Sequence, residues 1–335
     1  MNQEETQELA NKPQETQQTS GSKWKLILIL AALVIIGGAG YAIYHFSNNT
    51  SAEIPNELSL AIDEYEAQAA ENPENVEIHT HLAKLYLWAG EYDKSMYKKG
   101  LNECEIALEL DENHEYALTW YGLIYMGQEK YDKALEPFLR VIELNADNAW
   151  PMLNDNLKKA YYYSAEAYLK LGQIEEAFAH AEERMNLGSD APEADVIALT
   201  GRIYQENKEY DQAINYYLNA LRFDLNYPEV YEELQDCYAT IGQWGHVTYT
   251  EGMLIYCNAQ EEKNYAKASE EYNKAIDVLE DAVSEIPDFA KAWEGLGVSY
   301  HMNEQLNEAI NAYQQAVHLD AELCPLAEMM LNTLV

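Results

Sequence analysis

Positive charge is scarce in this chain. Its 335 residues include 21 Lys and Arg against 58 Asp and Glu, which gives a formal net charge of -37. Phosphate backbones and anionic lipid headgroups are bound by clustered Lys and Arg. The scarcity therefore argues against a nucleic-acid-binding protein and against a peripheral protein of anionic membranes. An excess of carboxylates suits protein partners that carry Lys or Arg.

Cysteine and the signatures of catalysis are also scarce. The four cysteines, at 104, 237, 257 and 324, show no CxxC spacing, so we expect buried thiols and no disulfide framework. A Cys237–Cys257 disulfide is the alternative if the domain faces an oxidising compartment. The chain has no HExxH, GxSxG or phosphate-loop pattern. We therefore predict no catalytic residue, no cofactor and no metal site.

Two histidines are the nearest approach to a metal-binding pair. His79 and His81 are two residues apart, which places them on different faces of a helix, whereas a metal pair needs a spacing of three or four. We therefore predict that both are surface residues without a metal.

One segment lacks charge altogether. Residues 26–46, LILILAALVIIGGAGYAIYHF, contain no Asp, Glu, Lys or Arg, and at 1.5 Å per residue they span about 30 Å of hydrocarbon. We predict a transmembrane helix over 23–46, between a disordered tail over 1–22 and a linker over 47–57. Cleavage as a signal peptide is the alternative, although the polar tail is unusually long for one.

The charges that flank this segment predict its orientation. Lys23 and Lys25 precede it, and no Lys or Arg follows within residues 47–56. The positive-inside rule then places the amino terminus in the cytoplasm. The rest of the chain is expected outside the cytoplasm, in the periplasm or at the cell surface.

Phenylalanine is rare, but tyrosine is not: the chain has 5 Phe and 27 Tyr. Six of the tyrosines recur in one sequence context, with steps of 39, 43, 36, 34 and 62 residues between them, at 86, 125, 168, 204, 238 and 300. The clearest copy reads Trp293-Glu-Gly-Leu-Gly-Val-Ser-Tyr300, and it is followed by Leu306, Ala309, Tyr313 and Ala316.

This pattern resembles the tetratricopeptide repeat (TPR), a helix-turn-helix of 34 residues with a small residue at position 8, Tyr at position 11 and an aromatic residue at position 24. The resemblance covers about 58–323. It implies an all-α fold, a right-handed superhelical solenoid of antiparallel helix pairs, here preceded by the single transmembrane helix. Residues 58–75 fit a half repeat that caps the amino end, 76–323 fit about six repeats, and 324–335 fit a capping helix. Within 245–289 the spacing fits either a degenerate extra repeat or a lengthened helix pair.

The resemblance also implies a groove, lined by the first helix of each repeat, that binds proteins or peptides. Family members that hold chaperone carboxyl tails carry Lys and Asn at groove positions 5 and 9. Position 5 of this chain holds other residues, so that activity is not supported: Thr80, Thr119, Tyr162, Ala198, Glu232 and Glu294. The candidate partner-binding residues come from several groove positions and are mostly acidic: Tyr162, Glu166, Asp195, Arg202, Glu229, Glu232 and Asp236.

These features together predict a membrane-anchored, non-catalytic scaffold or adaptor that binds proteins or peptides through its groove. The alternative is a receptor or chaperone-like factor in protein translocation or envelope biogenesis that recognises basic segments. Its binding would weaken steeply with salt, because exposed charges are screened over about 10 Å at 0.1 M. A third hypothesis, an envelope enzyme that uses residues 245–289, has no catalytic signature behind it.

Overall fold

The computed structural model describes residues 53–188 and 194–334. Those residues form helices joined by short turns, without a strand among them, so the predicted all-α class is confirmed for this part of the chain. A 3-10 turn, Pro151–Leu153, lies between the fifth and sixth helices. The helices, in chain order, are α1 (Asn56–Glu71), α2 (Val76–Gly90), α3 (Met96–Leu110), α4 (Glu115–Gly127), α5 (Tyr131–Leu144), α6 (Asp155–Lys170), α7 (Ile174–Asn186), α8 (Ala194–Glu206), α9 (Tyr210–Ala220), α10 (Pro228–Thr240), α11 (Trp244–Glu261), α12 (Tyr265–Glu285), α13 (Ala290–Met302), α14 (Leu306–Asp320) and α15 (Pro325–Leu334).

The chain divides into two compact units, one that ends at Lys130 and one that begins at Tyr131. In the first unit, residues of α1 and α2 share a buried apolar cluster that includes Leu58 and Leu82. In the second unit, the largest buried cluster runs from α8 to α15. Each unit therefore has its own core, built by successive helices.

Small residues on first helices allow second helices to approach closely. A Cβ atom on Gly201 of α8 would lie 2.7 Å from the ring of Tyr217 on α9, and one on Gly297 of α13 would lie 2.5 Å from the ring of Tyr313 on α14. Both rings are fully buried. The small residue at position 8 and the aromatic residue at position 24 are therefore one contact, and a larger side chain at either glycine would push the helices apart.

Two of the tyrosines at position 11 connect a first helix to the helix before it. The Tyr86 hydroxyl donates a hydrogen bond to Glu66 on α1, and the Tyr300 hydroxyl donates one to Glu280 on α12. In both pairs the acceptor lies 20 residues upstream. Phenylalanine lacks the donor, so these bonds give a physical reason for tyrosine at this position.

Most of residues 245–289 belongs to the two longest described helices, α11 with 18 residues and α12 with 21. The two helices approach closely, since a Cβ atom on Gly252 of α11 would lie 2.6 Å from the Leu279 side chain of α12. Helix α11 also meets α13, where a Cβ atom on Gly295 would lie 2.5 Å from the Met253 sulfur. This segment is thus packed on both sides by ordinary helix contacts.

A fully buried ion pair lies on α13. The Lys291 Nζ is 2.7 Å from Glu294 Oε2, and the two side chains are 0% and 1% exposed. Lys291 also donates to the Leu221 carbonyl at 3.2 Å, and Glu294 Oε1 accepts from the Ala327 N–H at 3.2 Å, in the first turn of α15. The pair therefore joins α13 to the end of α9 and to the start of α15.

Position 5, which the family resemblance assigns to the groove, is buried in four of the six copies. Glu294, Thr80, Thr119 and Ala198 are all buried. The two threonine hydroxyls donate to carbonyls four residues upstream in their own helices, at 2.8 Å in each case. Position 5 is exposed at Glu232 and half-buried at Tyr162.

The prediction that His79 lies on the surface is also wrong, because the residue is 5% exposed. Its ring nitrogens lie 2.7 Å from Glu103 Oε2 and 3.0 Å from the Pro73 carbonyl oxygen, so the imidazole is held inside the first unit. His81 is half-buried and stacks on Tyr65.

All four cysteines are buried free thiols. Cys237 and Cys257 therefore do not form the alternative disulfide in this structure. Burial raises the pKa of both thiols to about 12, so they stay protonated and unreactive at neutral pH.

The predicted tail over 1–22 and the predicted transmembrane helix over 23–46 lie outside the described residues. Among the residues that the structure does describe, none of the helices combines the length and the apolar character that a membrane crossing requires. The membrane anchor therefore stays a prediction from the sequence.

Candidate functional site

The centre of the candidate site is Arg202 on α8. Its side chain is half-buried, and its Nη2 lies 3.4 Å from the Tyr162 hydroxyl of α6. Burial by itself lowers the pKa of the guanidinium, but Tyr162, Glu166, Tyr227 and Glu233 raise it above its ordinary value overall. Arg202 is therefore a permanent cation whose charge is matched by side chains of α6 and α10.

Tyr162 lies between this cation and a second one. Burial raises the pKa of Tyr162 to about 12, against the opposing effect of Arg202, so its phenol is neutral at physiological pH. Arg184 of α7, 5% exposed, is the second cation. Burial lowers the Arg184 pKa, while Tyr162, Asp155 and Asp195 act against that shift.

Glu233 of α10 is the carboxylate that closes the network. Burial raises its pKa, and Arg202 and a hydrogen bond with Gln205 oppose the rise. The Gln205 Oε1 in turn accepts from the Tyr217 hydroxyl at 2.7 Å and from the Cys237 thiol at 3.3 Å. The polar groups around Arg202 are thus held from several helices, which limits their movement.

Sequence reasoning missed Arg184, Gln205 and Glu233. Arg184 is on the second helix of its repeat, where the pattern assigns no groove position. Glu233 follows the predicted Glu232 and is also not at a groove position. Gln205 occupies a groove position, so the repeat pattern could have identified it as a site residue. The other two become visible only when neighbouring helix pairs are placed together.

The predicted site residues fall into two groups. Tyr162, Glu166 and Arg202 come together in the network described above. The other four are acidic and lie around it on α8 and α10, with three exposed and one half-buried: Asp195, Glu232, Asp236 and Glu229.

The outer carboxylates differ in their surroundings. Asp195 accepts a hydrogen bond from Tyr227, whose pKa is raised mainly by burial. The charge of half-buried Glu229 contributes to the raised pKa of the Cys257 thiol on α11, after the larger effects of burial and Asp224. Glu232 and Asp236 are exposed along α10. The structure therefore does not bring all seven residues to one point.

Asp236 lines an open cleft of about 550 Å³ between the carboxyl-terminal ends of α8 and α10. Its other lining residues come from both helices and from the turn that leads into α9: Gln205, Glu206, Lys208, Tyr210, Ala239 and Thr240. The cleft is large enough to receive a long side chain and is open to solvent along one side.

First helices of the other unit carry a cluster of aromatic rings around one lysine. The Lys84 Nζ of α2 lies 4.5 Å from the centroid of the Trp88 ring and 5.5 Å from that of the Trp120 ring on α4. Tyr116 meets Trp120 edge to face at 5.4 Å. Aromatic rings and one lysine thus occupy the region where the second unit places carboxylates and arginine. Sequence analysis did not single out these residues.

Family models described as tetratricopeptide repeat match residues 116–148, 194–227 and 263–323. These three segments are tetratricopeptide repeats. These segments lie in both units, and each includes position-11, position-17 or position-24 tyrosines of the pattern found in the sequence. The TPR part of the sequence prediction is therefore confirmed.

The chain is similar to two larger curated proteins. It is 27% identical over 155 residues to anaphase-promoting complex subunit 3 of Schizosaccharomyces pombe, a match that covers 46% of this chain and 21% of that protein. It is 22% identical over 275 residues to BBSome complex member BBS4 of Bos taurus, with 78% and 48% covered. The chain therefore spans about a fifth to a half of the length of these relatives.

Solved structures of TPR proteins are also similar at low identity. A tetratricopeptide repeat protein from Parabacteroides merdae shares 13% sequence identity with a TM-score of 0.46, and the match covers 83% of this chain and 92% of that one. A likeness at this level carries no argument about function.

Proposed function

We propose that this TPR protein is a non-catalytic adaptor that binds proteins or peptides, and that the inner face of α6, α8 and α10 receives their basic segments. The observation that carries the proposal is the division of charge on that face. Arg202 is matched within the network by Glu166 and Glu233. The carboxylates of Asp195, Glu232 and Asp236 remain exposed on the same helices.

Exposed carboxylates around a neutralised cation give this face a net negative charge. Such a surface attracts Lys and Arg side chains and speeds their encounter, and it repels acidic partners. The two relatives are a subunit of the anaphase-promoting complex and a member of the BBSome complex, which supports a role in assembly. The TPR fold generally serves as a scaffold for interaction and not for catalysis.

A labelled peptide of Gly and Ser with Arg at every third position tests the basic preference. The full-length protein, in nonionic detergent, is titrated against it and followed by fluorescence anisotropy. We expect the double variant Asp195→Asn/Glu232→Gln to bind about three- to tenfold more weakly, because two exposed charges are worth roughly 0.3–0.7 kcal/mol each. Wild-type affinity should also fall between 50 and 300 mM salt.

The matched control is Glu109→Gln/Glu112→Gln, which removes two exposed carboxylates from the other unit. Equal affinity of the two double variants would contradict the proposal, since only net charge would then matter. Equal binding of a peptide with Glu in place of Arg would contradict it as well.

We further propose that residues 23–46 anchor the protein in a membrane, with the tail over 1–22 in the cytoplasm and the repeats on the other side. The support is the sequence pattern of apolar and flanking charged residues. Protease added to intact cells or to outward-facing spheroplasts should digest the repeats. Digestion only after lysis would contradict this topology.

A further inference from the structure

The cleft between the carboxyl-terminal ends of α8 and α10 contains two carboxylates, and no ion pair with either is found among the described residues. Glu206 and Asp236 both line it and both are exposed. Within the described residues, neither carboxylate takes part in an ion pair or a hydrogen bond. Lys208, the one cation among the lining residues, also forms no ion pair with them.

Two helix ends add to this negative potential. Glu206 is the last residue of α8, and Ala239 and Thr240 end α10. The carboxyl-terminal end of a helix carries a partial negative charge of about half an electron, and it favours cations. Both helix ends and both carboxylates therefore act in the same direction on a group placed in the cleft.

The remaining lining suits a planar cation on an apolar stem. Tyr210 offers a half-buried ring at one side, and aromatic rings attract guanidinium groups. The Gln205 amide is fixed in the wall by its bonds to Tyr217 and Cys237. A guanidinium has five N–H donors and can bond two carboxylates at once, and these bonds replace the hydrogen bonds to water that it loses on entering the cleft. An apolar cleft would offer no such replacement.

The preceding repeat shows that this charge is particular to one cleft. The last two residues of α6 are Leu169 and Lys170, where α8 has Gln205 and Glu206. The repeat position that Asp236 occupies on α10 is occupied by Arg202 on α8. Positive groups thus replace both carboxylates one repeat earlier. Repeat architecture by itself does not produce an acidic cleft here.

We infer that the α8–α10 cleft is a subsite for a single basic side chain of a bound protein segment, with Arg as the preferred residue and with Glu206 and Asp236 as its carboxylate partners. The inference rests on the proposed function, because it names the contact by which one residue of the basic segment is selected. Lys208 at the rim competes with the incoming cation.

Variants of the cleft are tested on the full-length protein with the same Arg-containing peptide. We expect Glu206→Gln/Asp236→Asn to lower the affinity about tenfold, as two charge-assisted hydrogen-bonding partners are removed. Replacement of one Arg of the wild-type ligand by citrulline should reproduce the loss at one peptide position and not at the others. The control Glu109→Gln/Glu112→Gln should leave the affinity unchanged.

A gain of affinity provides an independent readout. Lys208 has a φ of +64°, a left-handed conformation that favours glycine. Lys208→Gly therefore removes the competing ammonium without straining the turn, and we expect it to strengthen peptide binding two- to threefold. Weaker or unchanged binding by this variant would count against competition at the rim.

The outcomes separate the subsite from the proposed function. If wild-type protein binds the Arg peptide and Asp195→Asn/Glu232→Gln weakens it, but Glu206→Gln/Asp236→Asn binds normally, the subsite is overturned and the proposed function stands. If wild-type protein binds no Arg peptide, both are overturned. Unchanged thermal unfolding of the variants excludes misfolding as the cause of a lost affinity.

Discussion

Glu232 and Glu294 occupy the same position of two repeats, and they have opposite surroundings. Glu232 is exposed on α10. Glu294 is completely buried on α13, where it pairs with Lys291 and accepts a hydrogen bond from the backbone of α15. The comparison shows that a repeat position does not determine the role of a carboxylate. Its neighbours in adjacent helices decide whether it faces a ligand or holds the fold together.

Glu66 and Glu280 form an intermediate class. Their carboxylates accept hydrogen bonds from position-11 tyrosines, and the Glu66 side chain remains 43% exposed. Carboxylates of the described residues therefore occur in a buried ion pair, in bonds with phenols and at the exposed surface. A carboxylate that remains exposed, whether or not a phenol donates to it, is accessible to a partner.

The largest effect is expected at the buried pair. Glu294→Ala should lower the free energy of unfolding by roughly 3–5 kcal/mol, because Lys291 is left buried without its counter-ion. Glu232→Ala, at the same repeat position, should stay within about 0.5 kcal/mol of wild type. Urea unfolding followed by far-ultraviolet circular dichroism measures both, and similar midpoints for the two variants would break the comparison.

A double replacement distinguishes charge from packing at this pair. Lys291→Met/Glu294→Leu leaves no unpaired charge, and such apolar replacements of buried ion pairs are often neutral. We expect the double variant to recover most of the stability lost by Glu294→Ala. A double variant as unstable as the single one would show that the hydrogen bonds to Leu221 and Ala327 dominate.

A smaller effect is expected for a phenol-bonded carboxylate. Tyr86→Phe should cost about 1 kcal/mol, since it removes a hydrogen bond to a charged but partly exposed acceptor. Tyr168 stands at the same repeat position, and the described structure gives its hydroxyl no hydrogen bond. Tyr168→Phe should therefore change stability by less than about 0.5 kcal/mol. Equal losses in the two variants would show that the Glu66 bond contributes little.

The smallest effect concerns pH and the neighbours Glu232 and Glu233. Burial raises the Glu233 pKa, so the folded state binds this proton more tightly than the unfolded chain. The stability gained from this tighter proton binding is complete below the ordinary Glu pKa of about 4.3. It is lost as the pH rises through the folded-state pKa of Glu233. Glu233→Gln should lose less stability than wild type from pH 4 to pH 7. Urea unfolding at pH 4 and at pH 7 measures both changes, and equal losses in the two proteins would contradict this prediction.

From the sequence, the contacts within one helix pair could be predicted better than the burial of side chains at position 5. Glycine at position 8 meets tyrosine at position 24 in both α8–α9 and α13–α14, as the repeat pattern requires. The burial of Glu294 depends on Leu221, 70 residues from Lys291, and on the first turn of α15. No local pattern encodes such a distant arrangement, although Lys291 three residues before Glu294 was a visible sign of an ion pair.

The candidate site was predictable to a similar degree. The repeat frame placed Tyr162, Glu166 and Arg202 on first helices, and the structure brings them together. It could not show that the charge of Glu229 acts on Cys257, because that effect depends on how α11 packs against α10. Binding by the acidic residues stays a prediction.

The phenol–carboxylate bonds have a consequence for how the protein unfolds. Each bond joins a first helix to the helix of the preceding pair, so it strengthens the interface between neighbours and not the pair itself. In a repeat array, the ratio of interface energy to intrinsic energy determines whether repeats melt singly or together. Tyrosine in place of phenylalanine therefore raises cooperativity, and we expect the helix pairs joined by these bonds to unfold as one block.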